Sequence, residues 1–68
     1  MSMAWVRKTY GVPAKRGMRV LYTGDGRREY GTIRSAKGGH LSIQLDGVGH
    51  TMPFHPTWRL EYMIGGDA

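Results

Sequence analysis

His40-Leu41-Ser42-Ile43-Gln44-Leu45-Asp46 is the most regular stretch of the chain. Leu41, Ile43 and Leu45 alternate with His40, Ser42, Gln44 and Asp46. Successive strand side chains point to opposite faces, so this period of two describes a half-buried β-strand with three aliphatic residues on the core side. Lys37-Gly38-Gly39 before it reads as a hairpin connection, and Asp46-Gly47 after it as a second turn, because glycine tolerates positive φ.

Working outward, shorter pieces repeat the pattern. Met18 to Thr23 is a strand with Val20 and Tyr22 on one face and Arg19 and Leu21 on the other. After the polar turn Gly24-Asp25-Gly26-Arg27-Arg28, the strand Glu29 to Ser35 places Gly31 and Ile33 inward and Tyr30, Thr32 and Arg34 outward. A fourth strand is expected around His50 to Phe54, then one turn of 3₁₀ helix at His55-Pro56-Thr57-Trp58, then a last strand from Arg59 to Met63. Eleven glycines divide the chain into pieces too short for ordinary helices, and no helical period persists. The fold class is all-β, a small sandwich or barrel of one domain. Residues 1–16 read as an extended arm packed on the barrel, since Pro13 fixes φ and removes a donor. Residues 17–63 form the barrel and 64–68 a flexible tail.

Size and charge restrict the function. A chain of 68 residues supports one core, and without cysteine it has neither disulfides nor thiolate metal ligands. No apolar run approaches the roughly 18 residues of a membrane span, and residues 1–10 lack the apolar stretch of a secretory signal. A cytoplasmic protein with no membrane partner is expected. Ten Lys and Arg against five Asp and Glu leave a formal net charge of +5, suited to a polyanion.

The segments Gly17-Met18-Arg19-Val20-Leu21-Tyr22-Thr23-Gly24, Gly31-Thr32-Ile33 and Leu41-Ser42-Ile43-Gln44-Leu45-Asp46-Gly47 together resemble a KOW-type motif. The resemblance covers about half the chain. It implies an SH3-like five-stranded barrel of the kind found in ribosomal proteins and transcription elongation factors, many of which bind RNA. Gly17-Met18-Arg19-Val20, Gly31-Thr32-Ile33 and Pro56 through Leu60-Glu61 are also similar in spacing to the plasmid-borne, trimethoprim-insensitive dihydrofolate reductases, short SH3-like barrels that act as tetramers. That family's Val-Gln-Ile-Tyr pore strand would correspond here to Met52-Pro53-Phe54-His55. Proline replaces the glutamine and histidine the tyrosine, so this second resemblance implies a shared fold without folate reduction.

The basic residues form two groups in the sequence: Arg7, Lys8, Lys15, Arg16 and Arg19, then Arg27, Arg28, Arg34 and Lys37. An arm folded over the barrel would merge them into one stripe that contacts phosphates without reading sequence. The expected RNA or DNA contacts are Arg27, Arg28, Arg34, Lys37, Lys15 and Arg16, with outward-facing Tyr30 as a base-stacking platform. Trp58 is expected to close the bottom of the core, with Tyr22 and Phe54 inside. A rival function is a protein-interaction or homo-oligomeric assembly module using an apolar patch of Trp5, Val6, Leu21 and Trp58. An aromatic cage for a methylated side chain would need Tyr22, Tyr30, Phe54 or Trp58 exposed together. His40, His50 and His55 show no ligand spacing, and no nucleophile with an orienting carboxylate accompanies any of them. No metal, cofactor or enzymatic activity is expected.

Overall fold

The computed structural model describes residues 3–63. A helix, α1 (Met3–Tyr10), precedes five strands: β1 (Arg19–Tyr22), β2 (Glu29–Lys37), β3 (His40–Leu45), β4 (Met52–Phe54) and β5 (Leu60–Tyr62). They form one antiparallel sheet in the order β4-β3-β2-β1-β5, with β4 and β5 at its two edges. The tail expected at 64–68 lies outside the described residues.

β3 follows its alternation: Leu41 and Ile43 are fully buried and Leu45 nearly so, while Ser42 and Gln44 are half-buried. The β2–β3 hairpin turns on Gly38 and Gly39, whose φ of 58° and 82° give two successive left-handed residues. That geometry matches the twist of the flanking strands and excludes most side chains. Gly31 faces the core opposite Leu45, where a Cβ would come within 2.9 Å of the Gln44 carbonyl oxygen. At β4, the edge strand, Pro53 stands opposite Ser42.

The core gathers Val6, Ala14, Val20, Ile33, Leu41, Ile43, Leu45 and Leu60. β1 and β4 are separated by two strands, about 14 Å across a flat sheet. The rings of Tyr22 and Phe54 nevertheless meet edge to face with centroids 4.8 Å apart. The sheet is therefore curled around its apolar face.

Three expectations need correction. Residues 3–10 of the arm are helical rather than extended: Met3, Val6 and Tyr10 share one helical face and pack on the core, with Val6 fully buried. The helix ends at Gly11, whose φ is 66° and whose N–H donates to the Arg7 carbonyl at 2.9 Å. The Arg7 guanidinium donates to the Ala14 carbonyl at 2.8 Å, tying back the extended link that follows. His55–Trp58 is a turn and not a 3₁₀ helix, closed by the Thr57 N–H donating to His55 Nδ1 at 3.1 Å. Leu21 lies on the face opposite Val20, as expected, yet is only 6% exposed. Among the described residues, no helix is long and apolar enough to cross a membrane.

Candidate nucleic-acid interface

The outward face of β2 organises the basic residues. Tyr30 is 38% exposed, Thr32 half-buried and Arg34 exposed, whereas Gly31 and Ile33 are buried, so the alternation runs through the middle of the strand. Arg27 and Arg28 are exposed in the β1–β2 turn just before the strand, and Lys37 is exposed at its far end opposite His40. Between Ile33 and Ser35 the register with β3 shifts, leaving Arg34 as the bulged residue. Such a bulge bends the strand and re-aims the side chain it carries.

Lys15 and Arg16 reach this face through the backbone. The Gly17 N–H donates to the Ile33 carbonyl at 2.7 Å, and the Ile33 N–H donates to the Met18 carbonyl at 2.9 Å. These bonds extend the β1–β2 ladder past Arg19 and set the exposed 15–16 segment beside Arg34. Gly17 makes the bend, at a φ of 86°. Lys15 and Arg16 are thus brought near Arg34 by their backbone neighbour Gly17, while Arg27 and Arg28 lie before the other end of β2. Arg7 is committed to Ala14, and exposed Lys8 sits on the helix.

Arg19 takes another role. It grips Asp46 bidentately, Nη1 to Oδ1 at 2.7 Å and Nη2 to Oδ2 at 2.5 Å, and Nη1 also donates to Thr32 Oγ1 at 2.9 Å. This hydrogen bonding raises the Arg19 pKa further and holds the Asp46 carboxyl below the usual carboxylate range. Among the described residues it is the one ion pair. Lys15, Arg16, Arg27, Arg28, Arg34 and Lys37 have no acidic partner there and are exposed. Thr32 and Asp46 were expected on the outward side, but their hydrogen bonds with Arg19 were not foreseen from the sequence. Asp46 is 27 positions from Arg19, and only the strand register brings them together.

The aromatic residues depart from expectation. Trp58 does not close the core: it is 54% exposed, its ring tilted against Tyr22 at 6.2 Å between centroids, with the Arg59 guanidinium 5.9 Å from its own centroid. A Cβ on Gly24 would collide with the Tyr22 and Trp58 rings, so these rings cover the hairpin backbone. Tyr22 and Phe54 are half-buried against the core cluster, and Tyr22 meets both Phe54 and Trp58, so three of the four rings gather in one place while Tyr30 stands on the opposite face. The patch of Trp5, Val6, Leu21 and Trp58 is also absent as an exposed surface, because Val6 and Leu21 are buried.

Among the described residues, no three His, Asp or Glu side chains converge on a possible metal position, and no pocket opens in the surface. His40 Nδ1 lies 3.2 Å from the Gly38 carbonyl and His55 closes its own turn, so both have local structural partners. No protein-family model, curated protein or solved structure matches this chain.

Proposed function

We propose that the chain is a small basic module that binds RNA or DNA chiefly through phosphates, on a curled sheet of the SH3-like barrel type. The sheet order β4-β3-β2-β1-β5 and the approach of β4 to β1 support the barrel reading. The observation that carries the function is a set of exposed cations, along and beside β2, that have no acidic partner among the described residues. Arg27 and Arg28 stand at one end of β2, and Arg34 at its bulge is joined by Lys15 and Arg16 through the Gly17–Ile33 bond. Cations set along a strand neutralise successive phosphates and release their counterions, which gives affinity without sequence preference. This is a binding module that needs no cofactor.

Fluorescence anisotropy of labelled RNA and DNA over a series of salt concentrations tests the reading. Binding is expected to weaken linearly in log salt. Changing Arg27, Arg28 and Arg34 together to Ala is expected to make the slope shallower by about 2–3 units, at roughly 0.7–0.9 per lost phosphate contact. Unchanged anisotropy at low salt with every ligand overturns the proposal. In that case self-assembly, the function left for the exposed Trp58, becomes the question for sedimentation.

A further inference from the structure

Leu21 is nearly buried although it lies on the outward face and outside the core cluster. Its direct cross-strand neighbours are Tyr30 on β2 and Glu61 on β5, the two residues placed to cover it. Tyr30 lies directly across from Leu21 on the outward face and is 38% exposed, so part of its ring is open to solvent. On the β3 side, the Asp46 N–H donates to the Tyr30 carbonyl at 2.9 Å. The Arg19 guanidinium crosses β2 from β1 to reach that same Asp46, touching Thr32 as it passes. Tyr30 thus has Leu21 as its strand partner on one side and Asp46, paired with Arg19, on the other.

The exposed ring and the cations near it indicate what would lie on the strand: Arg28 just before β2 and Arg34 at its bulge are both exposed. Paired bases show only their edges at the grooves, while an aromatic platform needs the flat face of an unpaired base. The absence of a pocket among the described residues argues against a single free nucleotide, since there is no cavity to enclose it.

From this we infer that the outward face of β2 takes single-stranded nucleic acid, with one unpaired base stacked on Tyr30 and phosphates of nucleotides further along the strand held by Arg28 and Arg34. The inference rests on the nucleic-acid reading above and adds the strandedness of the ligand and the role of the ring.

The test uses the full chain with four labelled probes of equal phosphate number: oligo-dT, oligo-U, a hairpin duplex, and an oligo-dT with abasic sites throughout. Both single strands are expected to bind more tightly than the duplex at equal salt, and the comparison of dT with U distinguishes DNA from RNA. Tyr30→Ala is expected to weaken single-strand binding by roughly 5- to 150-fold with an unchanged salt slope, and Tyr30→Phe to retain it. On the wild-type protein, which avoids any question of a variant's folding, the abasic strand should show the same loss. Salt-sensitive binding that is equal for dT, duplex and abasic strand, and indifferent to Tyr30→Ala, overturns the stacking inference and leaves the phosphate reading standing. No binding to any probe removes both.

Discussion

Asp46 limits how much of the charge on β2 is available. Its carboxylate takes both terminal nitrogens of Arg19, the basic residue nearest Tyr30 on the β1 side. Asp46→Asn is expected to release that guanidinium, tighten polyanion binding and steepen the salt slope by up to about 0.7–0.9 units. Stability should change little, because both side chains are about half exposed and an ion pair in water contributes weakly. Tyr62 offers a separate test at the same scale. Burial pushes its phenol from 10.0 up to about 12. The fold therefore favours the protonated form, and the stability this contributes is complete below pH 10 and declines as pH rises toward 12. Urea titrations across that interval should show the decline in the wild type and lose this component in Tyr62→Phe. At neutral pH the same variant should be weaker by about 0.5–1.5 kcal/mol, having lost the 2.7 Å bond its hydroxyl donates to the Pro56 carbonyl.

Among the elements, β3 and the middle of β2 were legible because period-two alternation is a property of consecutive residues. Helix α1 was not. Eight residues hold barely two turns, too short to form alone in water, and the helix exists because Val6 finds a buried place among residues distant in sequence. Val6→Ala is expected to cost about 1.5–2.5 kcal/mol by thermal or urea unfolding, from lost methyl burial and the cavity left behind. Backbone amide exchange should rise first in residues 3–10 if the helix detaches locally. The candidate interface divides in the same way. The outward positions of Tyr30 and Arg34 follow from their own strand, whereas Arg28 lies just before it, where alternation no longer states the direction of a side chain. The nearness of Lys15 and Arg16 to Arg34 required the Gly17–Ile33 bond, and the capture of Arg19 by Asp46 required the β1–β2–β3 register. Trp58 was misplaced for a related reason: it belongs to no strand, so no alternation stated which way its ring points.

At the scale of the whole molecule, a single curled sheet leaves two edges, and they are not equivalent. Proline cannot donate a backbone hydrogen bond, so Pro53 in three-residue β4 removes a donor that an incoming strand would need there. β5 has no proline among its three residues, Leu60, Glu61 and Tyr62. Pro53→Thr is expected to restore the missing donor and to speed aggregation in light-scattering assays at elevated temperature, beyond any change in unfolding midpoint. Edge-to-edge contact between copies is thereby steered to one side of the sheet. A protein blunted at β4 can pair through β5 with one neighbour, but it is hindered from passing the chain of hydrogen bonds onward, so a growing fibril would stall at its second molecule.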